Sequence, residues 1–227
     1  MSSKYLPSEA ARPILMAAEK LFAEQGLDAV STRMIARAAG QKNNSALQYH
    51  FANRDSLVEA ILDYRVSPVN QQRLKRLQQL QAIEKPISTR ALVEVFVRPF
   101  AEELLKPIVD TYYVSLLAQL YAYQRGRELY LRDRERARAL HSISALLIRK
   151  LAPLPQPVVH LRLQFMGRQT INAVAEWDEA RRQQSIELDE RTLAWRTENL
   201  VDFIVAGMQA PDSSAKILRS TARAETI

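Results

Sequence analysis

One stretch limits what this chain can become more than any other: residues 31–51, STRMIARAAGQKNNSALQYHF. Its spacing predicts two short helices joined by a tight turn. Ser31 is a good N-cap, because its hydroxyl accepts from an orphan amide of the first helical turn. Met34, Ile35, Ala38 and Ala39 recur at i, i+3, i+4 spacing and predict an apolar side. Gly40 ends that helix, since glycine takes up positive φ just past the C-cap without strain. The polar run Gln41-Lys42-Asn43-Asn44-Ser45 supplies a turn and a new N-cap at Asn43 or Asn44. The second helix runs from Ser45 to about His50, with Leu47 and Phe51 turned inward. Lys42, Asn43, Asn44, Ser45, Gln48, Tyr49 and His50 are left for an outside partner.

A helix-turn-helix of this composition has the chemistry for DNA. Asn and Gln make bidentate contacts to adenine edges, Lys reads guanine or holds phosphate, and Ser is permissive. An ordinary helical hairpin with a polar outer face has the same spacing, so the neighbouring residues decide. Tyr49-His50-Phe51 falls where a helix grazes the DNA backbone, and Thr32 and Arg33 flank the same face. Arg54 opens the next helix, where its charge is expected to join the N-terminal amides on a phosphate.

Residues 14–62 resemble the DNA-binding domain of the tetracycline-repressor-like (TetR) family of bacterial transcription regulators. The residues that carry the resemblance are Ile14, Ala17-Ala18, Leu21-Phe22, Gly26, Ser31-Thr32, Ile35-Ala36, Ala39-Gly40, Leu47, Tyr49-His50-Phe51 and Leu57. The chain departs from the commonest pattern in one place. Its turn after Gly40 is one residue longer, and Gln48 stands where the family often has Tyr. The resemblance implies a repressor with an effector pocket in its second, larger domain.

The rest of the chain predicts an all-α protein. It has 227 residues, only 5 Gly and no Cys, and no alternating strand pattern. Without Cys, disulfides and thiolate metal sites are excluded, and a reducing cytoplasm suits the chain. No signal segment and no long apolar run is visible, which points away from a membrane and toward a cytoplasmic location. The net charge is +7 and favours a polyanion partner. Residues 153–210 run against it, with six basic and eight acidic residues.

Four regions are expected: a loose arm over 1–10, a helix-turn-helix domain over 11–54, a helical effector-binding and dimerisation domain over 55–210, and a disordered tail over 211–227. Pro13 fixes the start of the first helix near Ala11. Val66-Ser67-Pro68 predicts a kink in the fourth helix, which resumes toward Gln81. Ser88 or Thr89 caps the next helix, and Pro107 opens another that reaches Tyr121. An Arg-rich helix follows over 127–151, where solvated i, i+4 ion pairs are a plainer reading than a second polyanion site. Beyond Pro153, Pro155 and Pro157, two long helices are expected near 158–182 and 189–208. Both carry apolar residues off their main stripe, and a helix apolar on two sides needs two partners. These segments are expected to form a four-helix bundle in a homodimer.

Candidate sites beyond the reader are sparser. His50, His141 and His160 have no second ligand at i, i+4 spacing, and no metal or other cofactor is indicated. Glu102-Glu103 and Glu176-Asp178-Glu179 look like helix surface rather than acid/base pairs, and no nucleophile or phosphate-loop motif appears. A small, mainly apolar effector is expected among the helices of 91–177. Phe96, Phe100, Tyr112, Tyr113, Leu116, Tyr121, Phe165, Thr170 and Asn172 are its candidate lining, although core packing explains any one of them. The favoured function is a DNA-binding transcriptional repressor released from its operator by that effector. An architectural DNA-binding protein is the alternative, and a helical enzyme has no positive support in the sequence. A cavity among the 91–177 helices separates the first reading from the second.

Overall fold

The computed structural model describes residues 7–41, 45–83 and 86–213, apart from the side chains of Ala46, Asp110 and Arg125. The expected arm up to residue 6, the turn residues Lys42, Asn43 and Asn44, the break at Glu84-Lys85 and the tail from residue 214 lie outside them. Every regular element among the described residues is helical. The helices are α1 (Arg12–Gln25), α2 (Thr32–Ala38), α3 (Ser45–His50), α4 (Arg54–Gln81) and α5 (Thr89–Ala101). They continue with α6 (Tyr113–Ala122), α7 (Gln124–Arg132), α8 (Arg138–Lys150), α9 (Gln156–Arg182) and α10 (Glu190–Gln209).

Local chemistry sets most of the boundaries. Pro13 lies in the first turn of α1, where its missing N–H costs nothing. Gly26 ends that helix at φ 78°, a conformation that side chains with a Cβ rarely adopt. Ser31 caps α2 by accepting from the Met34 amide. Gly40 follows at φ 69°, and the Gln41 amide reaches back to the Ala36 carbonyl. Asn53 and Ser56 form a reciprocal capping box at the start of α4. Of the two candidates for the cap of α5, Ser88 takes the role and accepts from the Ala91 amide.

Three findings refine or correct the expected helices. First, α4 runs unbroken over 28 residues to Gln81, with Pro68, the residue expected to kink it, inside. Second, Pro107 opens only a short 3-10 turn over Ile108–Asp110, and α6 begins at Tyr113. The buried Glu19 carboxylate fixes that start by accepting from the Tyr112 amide at 2.7 Å and from the Thr111 hydroxyl at 3.3 Å. Third, the Arg-rich region is two helices, because the Asp133 carboxylate accepts from the Glu135 and Arg136 amides and turns the chain. Arg136 leaves the solvated face altogether and is 3% exposed. Its guanidinium donates to Asp63 at 2.6 Å and to the Leu129 carbonyl at 2.6 Å, tying α4, α7 and α8 together.

The apolar core runs without interruption from α1 to α10. In α1 and α2 it takes up Ile14, Leu15, Ala18, Phe22, Ile35 and Ala36, whereas Ala38 faces solvent. Helix α6 packs against both α1 and α9, and α4 packs against α1, α5, α7 and α8. Two helices therefore touch both the N-terminal trio and the larger body.

Candidate DNA-reading helix and inner cavity

Helix α3 is six residues long, too short to be stable alone, and it is held by two side chains. Leu47 and Phe51 are 3% and 8% exposed and anchor it to the core under α2. The opposite side is open. Ser45, Gln48 and Tyr49 are exposed, as are Thr32 and Arg33 at the start of α2. Tyr49 is 85% exposed, far more than an aromatic ring without a partner usually is. The His50 ring lies edge-on to it at 5.1 Å and is half-buried. Lys42, Asn43 and Asn44 fall outside the described residues.

Arg54 does not point to solvent as expected. Its Nη1 donates to the Leu27 carbonyl at 2.9 Å and its Nη2 to the Val30 carbonyl at 2.8 Å. The side chain thus pins the loop between α1 and α2 to the first residue of α4. The physical reason is that two backbone carbonyls face the helix start, and a planar guanidinium spans both at once.

A cavity of about 470 Å³ opens between α4, α5, α6, α7, α8 and α9. Of the expected lining, Phe96, Phe100, Tyr121 and Thr170 are there. The rest are placed elsewhere. Tyr113 and Leu116 are fully buried behind the wall, with the Tyr113 ring edge-on to Phe100 at 5.7 Å. Tyr112 lies under the Arg182 guanidinium, whose carbon is 4.3 Å from its ring centre. Phe165 and Asn172 sit on the far side of α9, in a separate hollow of about 440 Å³ shared with Phe203 and Met208 of α10. The misplacement is one of helical phase. Met166 and Thr170 define the inward stripe, and a neighbour such as Phe165 is rotated about 100° away from it. Thr170 is also no free anchor, because its hydroxyl donates to the Met166 carbonyl at 2.8 Å.

The cavity contains polar groups that sequence reading passed over: Arg73, Arg127, Tyr130, His141 and Arg168. Arg73 is 3% exposed. Its Nε and Nη2 donate to the Phe96 carbonyl at 3.0 and 2.8 Å, and its Nη1 to the Asn70 side chain at 3.0 Å. A signal for it was present. Val66, Val69, Asn70, Arg73 and Leu77 all fall on one buried stripe of α4, so two polar residues stand at apolar positions. Burial, and next the neighbouring Tyr130, push the Tyr121 hydroxyl above its ordinary range and the Tyr113 hydroxyl well above it. Both stay protonated at neutral pH.

Of the acidic residues expected on helix surfaces, Glu176 and Glu179 are exposed, whereas Asp178 and Glu103 are buried. Asp178 is 1% exposed and is held by Arg181 at 2.6 Å, Arg182 at 2.9 Å and the Ser115 hydroxyl at 3.0 Å. Glu103 is buried and paired with Lys106 at 2.7 Å, while Glu102 pairs with Arg76 at 2.7 Å. Asp178 thereby joins α9 to α6 through Ser115, and Glu102 reaches α4 through Arg76, while the Glu103–Lys106 pair is local. Among the described residues, no three His, Asp or Glu come together as a metal site, and no helix is long and apolar enough to cross a membrane.

A short reading helix on a three-helix support, joined to a larger helical body with an inner cavity, defines a helix-turn-helix regulator. The chain belongs to the tetracycline-repressor family of transcription regulators. Its residues 14–61 match the bacterial regulatory proteins of the tetR family, and residues 94–207 match the tetracyclin repressor-like C-terminal domain. No curated protein matches the chain. Among solved structures it is similar to NalD of Pseudomonas aeruginosa, the secondary repressor of the MexAB-OprM multidrug efflux pump. That match has 21% identity and a TM-score of 0.59, over 88% of this chain and 96% of that one. It is also similar to a TetR-family regulator from Marinobacter aquaeolei (19% identity, TM-score 0.55, 85% and 94% coverage). A third similar structure is the regulator FadR from Bacillus subtilis in complex with stearoyl-CoA (16% identity, TM-score 0.57, 86% and 98% coverage).

Proposed function

We propose that this regulator represses transcription as a two-fold dimer that reads a near-palindromic operator and lets go when a small molecule enters the cavity. The reader is the 11–54 segment, and the effector-binding and dimerising part is 55–210. Base edges are read by Asn43, Asn44, Ser45 and Gln48, while Thr32, Arg33, Lys42, Tyr49 and His50 hold the backbone. The observation that carries this reading is the open side of α3. A helix anchored by Leu47 and Phe51 leaves Gln48 and a bare Tyr49 ring in solvent, a surface with no use inside one chain. Selection of genomic fragments by the purified protein, followed by footprinting, tests it. Gln48→Ala is expected to cost roughly 1–3 kcal/mol at one operator position and to relax specificity there. Unchanged operator preference after replacing Asn43, Asn44 and Gln48 together overturns the assignment.

The dimer is proposed to form through 158–182 and 189–208. Leu161, Phe165, Trp195 and Phe203 are each 48–63% exposed on these two helices, more large apolar surface than a soluble monomer normally shows. The cavity, open at its mouth, favours an effector-controlled regulator over an architectural protein, which has no need of a cleft in its larger body. Helix α4 makes the coupling direct. Arg54 at its start pins the reader loop and Arg73 walls the cavity, roughly 28 Å along the helix at 1.5 Å per residue. An effector acts only by binding two conformations unequally, and operator must then weaken effector binding by the same factor. Titrating each ligand in the presence of the other measures that factor from both sides, and a factor near one refutes the scheme.

A further inference from the structure

We propose that the ligand of the inner cavity is an amphipathic carboxylate: an apolar body with one anionic head held at Arg73. This rests on the reading of the cavity as the effector site and changes the expected chemistry from mainly apolar to charged. Three observations carry it. The lining holds Arg73, Arg127, Arg168 and His141 and not one Asp or Glu. Arg73 is 97% buried, yet among the described residues it has no carboxylate partner. Its compensation comes only from the Phe96 carbonyl, the Asn70 side chain and the Phe96 ring, whose centre is 4.9 Å away. One N–H on each terminal nitrogen is left over, and a carboxylate is the acceptor that can take both.

A buried unpaired cation is costly in a protein interior. The other buried guanidiniums among the described residues, Arg136 and Arg181, each have an aspartate partner, Asp63 and Asp178. Arg73 alone among these three faces a hollow instead, and a bound anion supplies the missing charge. The surroundings favour the same head group. Arg127 donates to the Tyr121 carbonyl at 2.8 Å and lacks an acidic partner among the described residues. The Tyr121 hydroxyl is held protonated by burial and remains a donor rather than a competing anion. Most of the remaining wall is apolar, with Phe96, Phe100, Leu117, Leu140 and Ile171 outnumbering Ser144, Gln164 and Thr170, and it suits a hydrocarbon or aryl body.

The test uses the full chain and a panel of straight-chain, branched and aryl carboxylic acids, each paired with its primary amide. Decanoate with decanamide and naphthylacetate with naphthylacetamide are two such pairs. Binding is followed by titration calorimetry, and release from operator by fluorescence anisotropy. The expected result is at least one acid bound about tenfold or more tighter than its amide, with operator release following the same order. Arg73→Gln is expected to abolish that preference while keeping amide binding. Should Arg73→Gln not fold, Arg127→Gln on the cavity wall is expected to reduce the preference without loss of the fold. Amides that bind and release operator as well as the acids overturn the charge assignment and leave the effector site standing. If neither acids nor amides bind or release operator, the proposal falls together with the effector reading.

Discussion

At the scale of single residues, charge placement decides more than charge number. Arg54, Arg73 and Arg136 look alike in the sequence, and each was open to a surface reading. All three are bound inward, to two carbonyls, to a cavity wall and to Asp63. For Arg54 this reverses an expected outcome. Its loss should not lower the salt dependence of DNA binding, because no phosphate contact is removed. Arg54→Ala is instead expected to destabilise the chain by about 1.5–3 kcal/mol, what a hydrogen bond from a charged donor is worth. Thermal unfolding measures this, and binding to operator and to random DNA should weaken together. Arg54→Lys is expected to rescue little, since one ammonium does not span both carbonyls. A reduced salt slope in Arg54→Ala would show that the side chain does reach phosphate. Caps were legible because their rule is local, as Ser31 and Gly40 illustrate. Inward arginines were not, because each has a partner on another element, 23 to 73 residues away.

At the scale of elements, periodicity places helices well and phases them less well. The α9 and α10 spans follow from spacing alone, with Asp189 as the cap that accepts from the Thr192 amide. Yet Phe165 and Asn172 fall on the outer face of α9, because a stripe apolar on two sides does not say which side meets the body. The α6–α7 junction was harder still. Tyr123 separates the two helices, and Gly126 lies inside the second. A Cβ added at Gly126 would stand 2.1 Å from the Leu120 carbonyl oxygen, so the backbones approach too closely for any other residue. Gly126→Ala is expected to force α6 and α7 apart and to cost about 1–3 kcal/mol, as overpacking does. A melting temperature equal to wild type would refute the close approach. Since α6 packs on both α1 and α9, the same substitution should also change how strongly effector and operator oppose one another.

At the scale of the whole molecule, the question is which surface pairs two copies, and here the structure redirects the choice of variant. Val201 and Ile204 look like interface residues from their spacing, but they are 0% and 4% exposed within one chain. A charge at Val201 attacks the fold, so it says nothing about pairing. Phe203, two positions along α10, is 62% exposed and sits beside Phe165 over the outer hollow. Phe203→Arg is therefore expected to leave helix content and melting of the chain near wild type while splitting the dimer. An unpaired charge kept in the interface costs about 3–5 kcal/mol. Operator binding should follow, because two linked readers gain about a hundredfold to ten-thousandfold from effective concentration alone. A single half-site, which engages one reader, should bind Phe203→Arg and wild type alike. Sedimentation at micromolar protein, circular dichroism melting and anisotropy on full and half operators give the three readouts. Wild type that sediments as a monomer while binding the full operator tightly would overturn the dimer, and Phe203→Arg that dimerises as before would place the pairing surface elsewhere.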